Sequence, residues 1–152
     1  MTKARATLTR RRLGSFSLGL EPKPLAAVKR VIAKGLDTHN IAAAGPYRDS
    51  DFIVSVRDAK GATRAGFWVE VYYESAFLRW AWVDPKLHRR GIGRALMQAA
   101  ENEARARGAV NLWLDTFSFQ ARPFYEKLGF EVFGTLTMGR PGVERYFLTK
   151  TL

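Results

Sequence analysis

The chain has 152 residues, no cysteine, and 25 lysine and arginine residues against 14 aspartate and glutamate residues, for a formal net charge of +11. The lack of cysteine excludes a disulfide framework, a cysteine nucleophile and a cysteine-ligated zinc site, and the two histidines lie too far apart for a local metal motif. No uncharged apolar run approaches the roughly 20 residues of a membrane helix. We therefore expect one soluble, metal-free domain over residues 1–152, with no membrane partner.

Positive charge is concentrated at the N-terminus. Five basic residues precede the first acidic one: Lys3, Arg5, Arg10, Arg11 and Arg12. This acid-free composition is typical of a transit peptide and of a nucleic-acid-binding arm as well as of a solvated terminus. Because strand-like alternation begins within the same stretch, we expect a cytoplasmic protein whose residues 1–12 form a flexible basic segment, and we do not expect a nucleic acid as its partner.

The first predicted elements are a short edge strand and an amphipathic helix. Residues 12–20 alternate weakly in hydropathy and favour the strand. From Leu25 to Leu36 apolar residues recur at helical spacing, and Gly35 marks the predicted end of the helix. Residues 37–51 mix an alanine run with a Gly-Pro pair, so we predict a loop or a short second helix there.

The remainder of the chain predicts a mixed sheet. In chain order its elements are the strands 52–56, 65–73 and 77–83, a helix from Arg94 to Gly108, a strand at 112–114, a short helix at 118–128, and the strands 129–133 and 145–149. The first two strands form a predicted hairpin, and the last two form an antiparallel pair. A strand–turn–helix–strand unit between these pairs predicts an α/β fold with a mixed sheet.

A basic turn with two glycines separates the strand 77–83 from the long helix. Gly91 and Gly93 let the backbone pass close to a ligand, and the first amides of the following helix have no intrahelical partner. Arg89, Arg90 and Arg94 add positive charge beside those amides. The turn therefore predicts a site for a phosphate, and more specifically for a ligand that carries a pyrophosphate.

Two segments carry a family resemblance. V-D-P-K-L-H-R-R-G-I-G-R-A-L, residues 83–96, followed by A-R-P-F-Y-E-K-L-G-F, residues 121–130, resembles the GNAT superfamily of acetyl-coenzyme A-dependent N-acetyltransferases. The resemblance covers residue 52 to the C-terminus. It implies a central mixed, mostly antiparallel sheet with helices on both sides. It also implies two splayed parallel strands, with acetyl-coenzyme A as co-substrate in the gap between them.

The resemblance assigns contacts with acetyl-coenzyme A position by position. The backbone amides that would hold the pyrophosphate are those of Arg89, Arg90, Gly91, Ile92, Gly93 and Arg94. The main chain of Trp82 and Val83 would pair with the pantetheine arm, as a peptide adds to an exposed strand edge. His88 stands where the family has Gln or Arg, and Ser118 stands where it often has an Asn that contacts the cofactor.

The resemblance also makes Tyr125 the general acid. The family places a tyrosine at this position near the cofactor sulfur, where it would protonate the departing thiolate. A phenol with a pKa of about 10 is protonated at neutral pH and can give its proton to a thiolate. From the pattern alone, Tyr125 is a core aromatic residue beside Phe124 and Phe130.

The general base has several candidates. Attack on a thioester needs a free amine, so a group must remove a proton from the ammonium, directly or through water. Glu70 shares a predicted strand face with Trp68, and Asp115 follows the buried strand where the sheet should open. His39 is a third candidate. A purely structural or solvated role stays open for all three.

We predict an N-acetyltransferase that transfers the acetyl group of acetyl-coenzyme A to a primary amine of a small molecule. The attack is direct, because the chain has no cysteine to form a covalent intermediate. Two alternatives stay open: acetylation of a protein amine, and a basic nucleic-acid-associated module that has the fold without the chemistry. The sequence leaves open the acceptor, the general base and the oligomeric state, including a homodimer.

Overall fold

The structure is a computed structural model that describes residues 11–21, 23–46 and 50–152. Its contacts divide the chain into two compact units, residues 1–46 and residues 47–152. The expectation of one domain over residues 1–152 stays a prediction. Lys3, Arg5 and Arg10 of the basic segment lie outside the described residues.

The first unit contains a short hairpin instead of the single edge strand that the sequence predicted. β1, Arg11–Leu13, pairs antiparallel with β2, Phe16–Leu18. Gly14 takes the left-handed conformation in the turn between them, with φ +64°. The two short strands pair with each other and form a separate two-stranded sheet.

The helix of the first unit is longer than predicted. α1 spans Ala26–Ala44, so it continues through Gly35 and takes in most of the stretch predicted as a loop or second helix. A helix tolerates one interior glycine at a cost of about 1 kcal/mol, and the alanines that follow have the highest helix propensity. The helix ends at Gly45, whose φ of +81° and N–H bond to the Ile41 carbonyl (2.9 Å) close it before Pro46.

The second unit is a six-stranded sheet with two helices. Its elements are β3 Ser50–Arg57, β4 Thr63–Tyr72, β5 Ser75–Val83, α2 Ile92–Ala106, β6 Asn111–Phe117, α3 Arg122–Glu126, β7 Glu131–Thr137 and β8 Glu144–Thr151. The strand order is β3-β4-β5-β6-β8-β7. All neighbours are antiparallel except β5 and β6, which are parallel. The predicted mixed α/β sheet is confirmed.

One hydrophobic core holds the second unit together. Alternate residues of the central strands face it, because side chains alternate between the two faces of a sheet. Its large members include Phe67, Val69 and Leu78 from β4 and β5, Leu112, Leu114 and Leu148 from β6 and β8, and Leu96 and Met97 from α2. On the opposite side of β5, Trp80 and Trp82 are 68% and 53% exposed. The face that carries these two tryptophans is therefore open.

Candidate active site

The parallel strands β5 and β6 pair over only part of their length. Residues Ser75–Leu78 pair with Asn111–Leu114. Beyond Leu78, β5 continues to Val83, and beyond Leu114, β6 continues to Phe117, without further pairing between the two. The central sheet therefore contains a gap whose apex lies at Leu78 and Leu114. Each side of the gap carries main-chain groups that the neighbouring strand does not use.

The main chain of Val83 faces this gap. In an antiparallel pair, residues that exchange hydrogen bonds alternate with residues whose N–H and C=O groups point the other way. The Asp84 N–H donates to the Arg64 carbonyl of β4 (2.9 Å), so the preceding residue, Val83, directs its groups away from β4. The main-chain N–H and C=O groups of Val83 therefore point into the gap, and the contact with the pantetheine arm that the resemblance implies stays a prediction.

The main chain of Trp82 differs from the expectation. Trp82 is opposite Gly66, and the same alternation directs its N–H and C=O toward β4. Ala81, one residue earlier, again faces the gap. The groups available to an extended ligand are therefore those of Ala81 and Val83, while Trp82 contributes its exposed side chain.

The turn after β5 leads into the N-terminus of α2. A short 3₁₀ turn over Pro85–Leu87 comes first, and the Asp84 carboxylate caps it by accepting the Lys86 N–H (3.0 Å). Arg89 and Gly91 then both take positive φ, +61° and +77°. Within the described part of the chain no side chain caps the first turn of α2, so its leading amides can bind an anion.

Gly93 lets the first turn of α2 lie close to α3. A Cβ atom at this position would be 3.1 Å from Cζ of Phe124. The three turn arginines, Arg89, Arg90 and Arg94, are exposed, and none makes an ion pair with the described part of the chain. Ile92 is half-buried behind them. The turn thus combines free amides with unneutralised positive charge.

The candidate acid, Tyr125, lies in α3. Its side chain is 8% exposed, and its ring makes edge contacts with Phe124 and Phe130 at centroid distances of 5.2 and 6.0 Å. Burial, and after it the negative charge of Asp115, raises the pKa of Tyr125 to about 12. The phenol is therefore protonated at every physiological pH, as a proton donor must be.

Asp115 is the first residue of β6 beyond the apex of the gap, and Arg145 of β8 holds it. Arg145 Nε donates to Asp115 Oδ2 and Nη2 donates to Oδ1, both at 2.7 Å. The guanidinium lies over the rings of Phe117 and Phe147, 5.5 and 5.6 Å from their centroids. Two charged hydrogen bonds and two rings therefore fix the carboxylate in one orientation.

The other two base candidates are placed differently. Glu70 Oε2 accepts from Arg79 Nη1 at 3.0 Å, and the Arg79 guanidinium lies 5.3 Å from the Trp68 ring. Glu70 belongs to β4, one strand away from the gap. His39 is exposed on α1, in the first unit. Of the two candidates in the second unit, Asp115 is therefore the one that lies at the gap.

Ser118 is engaged within the protein. Its Oγ donates to the Gly142 carbonyl (3.2 Å) and accepts the Glu144 N–H (3.3 Å). The hydroxyl thus ties the end of β6 to the loop that enters β8. The expected cofactor contact of Ser118 stays a prediction.

Arg145 was missed in the sequence. Its position in a terminal strand was predicted, but its partner depends on the pairing of β6 with β8, in which Phe117 is opposite Arg145. Had that register been known, the alternation of side chains would have placed Arg145 on the face of Asp115. Composition and spacing alone give no such signal.

Among residues 11–21, 23–46 and 50–152 there is no group of three or more histidine, aspartate and glutamate side chains that could hold a metal ion. No helix of that part of the chain is both long and apolar enough to cross a membrane.

Known proteins resemble this chain in sequence. The family model for the acetyltransferase (GNAT) domain matches residues 48–132. Acetyltransferase Atu2258 of Agrobacterium fabrum is 26% identical over 111 residues, which are 73% of this chain and 81% of that protein. Blasticidin-S acetyltransferase of Streptomyces morookaense is 28% identical over 94 residues, 61% of this chain and 69% of that protein.

Solved structures share the fold. An acetyltransferase from Bacillus cereus superposes with a TM-score of 0.79 at 23% identity, over 88% of this chain and 97% of that one. An aminoglycoside 6'-N-acetyltransferase, solved as a complex with coenzyme A, superposes with a TM-score of 0.60 at 18% identity, over 66% of this chain and 72% of that one.

These matches agree with the architecture of the gap and the turn. The matched domain covers more than half of the chain and includes β3 to β6, α2 and α3. The sequence-based predictions of the family, of the α/β fold and of an acyltransferase are confirmed. The chain belongs to the GNAT acetyltransferase family.

Proposed function

We propose that this protein transfers the acetyl group of acetyl-coenzyme A to a primary amine of a small molecule. The observation that carries the proposal is the continuity of the donor side. The strand β5 leaves β6, exposes main-chain groups at Ala81 and Val83, and runs through a basic turn into the free amides of α2.

The residues around the gap fit two parts of coenzyme A, its pyrophosphate and its pantetheine arm. Free helix amides and the charges of Arg89, Arg90 and Arg94 suit a pyrophosphate, which is an anion with many acceptor oxygens. The gap-facing groups of Ala81 and Val83 suit an extended arm that carries amides of its own. The coenzyme A complex of the related fold supports the same donor.

The chemistry needs one attack and two proton transfers. The amine nitrogen attacks the thioester carbonyl carbon, a carbon–nitrogen bond forms, and the carbon–sulfur bond breaks. The departing thiolate takes the proton of Tyr125, and the proton lost by the amine passes through solvent to the tyrosinate, so that Tyr125 is protonated again. Tyr125 suits this role because its raised pKa, about 12, keeps it protonated beside the gap.

We assign the acceptor side to Asp115 and not to Glu70. Asp115 is adjacent to the apex of the gap, and its charge reaches Tyr125, whereas Glu70 lies one strand away. Both Asp115 oxygens accept from Arg145, so the carboxylate is fixed, and each oxygen keeps a lone pair. After the ammonium of the acceptor has lost a proton to solvent, Asp115 would accept a hydrogen bond from the free amine and orient its lone pair toward the thioester.

A small-molecule acceptor is the first choice because a relative that matches 61% of the chain acts on blasticidin S, as its name states. A protein amine is the alternative, and the geometry of the gap alone does not separate the two. A homodimer stays a prediction.

A thermal-shift measurement with a transfer assay tests the proposal. Acetyl-coenzyme A at about 100 times its dissociation constant stabilises a binding protein by about 2.7 kcal/mol, so the melting temperature should rise by about 5 °C or more. Adenosine should give little shift. Free-thiol release over a panel of small amines and N-terminal peptides then distinguishes the acceptor classes. The absence of any shift would overturn the proposal.

A further inference from the structure

His88 is the residue of the turn that the resemblance leaves unexplained, since the family has Gln or Arg there. Its side chain is exposed, yet it does not extend freely into solvent. The ring Nε2 lies 3.1 Å from the carbonyl oxygen of Val83, five residues earlier. Because a carbonyl only accepts, the imidazole donates Nε2–H in this bond.

This bond fixes a peptide plane at the mouth of the gap. The plane joins Val83 to Asp84. On one side the Asp84 N–H donates to the Arg64 carbonyl (2.9 Å), and on the other the Val83 carbonyl accepts from His88 (3.1 Å). The first bond comes from the neighbouring strand and the second comes from the turn itself. His88 therefore links the turn to the end of β5.

The link bears on how the turn leaves β5, because the turn changes the direction of the chain. Arg89, directly after His88, has a φ of +61°, a left-handed conformation that costs a non-glycine residue of order 1–3 kcal/mol. Gly91 is left-handed as well, with φ +77°. Two such residues within three positions change the direction of the chain sharply. The position of the α2 amides relative to Val83 therefore depends on contacts between the turn and β5, of which the His88–Val83 bond is one.

We propose that His88 is a positioning residue that holds the α2 amides and the Val83 N–H in one register, so that a single coenzyme A molecule meets both. The inference rests on the proposed function and adds a role that depends on a specific contact of this chain. His88 acts through the Val83 carbonyl and has no contact with the reacting atoms.

A positioning role of His88 and a direct contact of His88 with the pyrophosphate predict different affinities for a fragment of coenzyme A. 3'-Phospho-ADP carries the pyrophosphate and lacks the pantetheine arm, so it uses the turn alone. If the α2 amides and the Val83 N–H lose their fixed relative position, binding of the whole of coenzyme A should weaken, while binding of the fragment should be nearly unaffected. Loss of a direct contact should weaken both ligands by the same factor.

The experiment is isothermal titration of coenzyme A and of 3'-phospho-ADP into the wild-type protein, His88→Ala and His88→Gln. His88→Ala should weaken coenzyme A binding roughly three- to tenfold, the equivalent of one net hydrogen bond, and the fragment by less than about twofold. His88→Gln keeps an N–H donor of similar reach and should retain most of the affinity. Lys60→Ala, in the exposed turn between β3 and β4, is the control and should behave like the wild-type protein.

Four results would overturn the inference. Equal coenzyme A affinity in His88→Ala and the wild-type protein would remove any role for the residue. Equal losses for coenzyme A and the fragment would indicate direct contact. A loss in His88→Gln as large as in His88→Ala would exclude the hydrogen bond as the cause. No binding of coenzyme A to the wild-type protein would overturn the proposed function, and the inference with it.

Discussion

The two sides of the gap present different chemical groups: main-chain groups on one side and side chains on the other. The donor side is one continuous stretch of chain, from β5 through the turn into α2, and it offers mainly main-chain N–H groups. The acceptor side is assembled from side chains on two strands, with Asp115 on β6 and Arg145 on β8, 30 residues apart in sequence. The donor side would therefore bind any molecule that carries a pyrophosphate and an extended arm with amide groups. The acceptor side would select among acceptor amines through its side chains.

This difference has a consequence for substitutions. Main-chain groups survive the loss of most side chains, so the donor side should tolerate change at exposed positions and respond where the backbone conformation is set, as at Gly91 and His88. The acceptor side depends on individual side chains that are fixed by one another. Single substitutions there should alter the acceptor and leave the donor alone.

Tyr125→Phe should give the largest effect, because Tyr125 is the proposed proton donor of the reaction. The substitution removes the donated proton and keeps the ring in its contacts with Phe124 and Phe130. General acid catalysis is worth roughly 10²- to 10⁴-fold, so kcat should fall by about 100-fold or more while the KM values for both substrates change little. Steady-state kinetics with free-thiol detection measures this.

The pH profile provides the control for Tyr125. A group acts as an acid only below its pKa, and an ordinary phenol would lose half of its protons by pH 10. With a pKa of about 12, Tyr125 stays protonated, so kcat of the wild-type protein should be unchanged from about pH 9 to about pH 10.5. An alkaline fall in kcat that persists in Tyr125→Phe would show that another group causes it. Unchanged kcat in the variant would exclude the acid role.

Arg145→Ala should change the acceptor side alone. Without its two hydrogen bonds from Arg145, Asp115 loses its fixed orientation beside the gap. Hydrogen bonds to charged groups are worth about 1.5–3 kcal/mol, so KM for the acceptor should rise by about tenfold or more, while KM for acetyl-coenzyme A stays within about twofold. Initial rates with each substrate varied in turn separate the two constants.

Arg107→Ala is a matched control for Arg145→Ala. Arg107 Nε also donates to a carboxylate at 2.7 Å, that of Glu103, but this pair lies at the C-terminal end of α2, away from the turn. Arg107→Ala should leave both KM values unchanged. Two results would contradict this prediction: an equal rise of both KM values in Arg145→Ala, or a fall in its melting temperature without a change in either KM. In either case the Arg145–Asp115 ion pair would have a structural role and would not act on acceptor binding alone.

The same difference explains what could be predicted from the sequence. The donor side is local: a strand end, two glycines and a helix start follow one another in the chain, so the turn and the strand–turn–helix unit were predicted. The acceptor side depends on the register of β6 against β8, which no short pattern encodes. The sequence suggests Asp115 as a candidate but gives no signal for Arg145. It also does not show that the main chain of Ala81, and not that of Trp82, points into the gap, because this direction depends on the register of β4 with β5.

The differences in the first unit have local causes of a different kind. The sequence predicts a helix end at Gly35 because glycine has low helix propensity, but the favourable residues on both sides outweigh one glycine. Residues 12–20 were read as one strand because a turn at Gly14 makes little difference to a weak alternation. In both places the signal was a single glycine, and its surroundings determined its role.

Ser118→Ala should give the smallest effect, and it tests the role of the first residue after β6. The family resemblance places a cofactor contact at this position, whereas the hydroxyl bonds to the Gly142 carbonyl and the Glu144 N–H, at 3.2 and 3.3 Å. If those bonds are its role, coenzyme A affinity should change by less than about twofold, and the melting temperature should fall by about 2–4 °C, the value of roughly 1 kcal/mol in a protein of this size.

Ser118→Thr separates the two roles of the hydroxyl. It keeps the oxygen and should restore the melting temperature if the loop bonds matter. A several-fold loss of coenzyme A affinity in Ser118→Ala at an unchanged melting temperature would instead assign the hydroxyl to the cofactor. In that case the donor side would include a side chain from β6, and the division of the gap into a main-chain side and a side-chain side would hold only for the pyrophosphate turn.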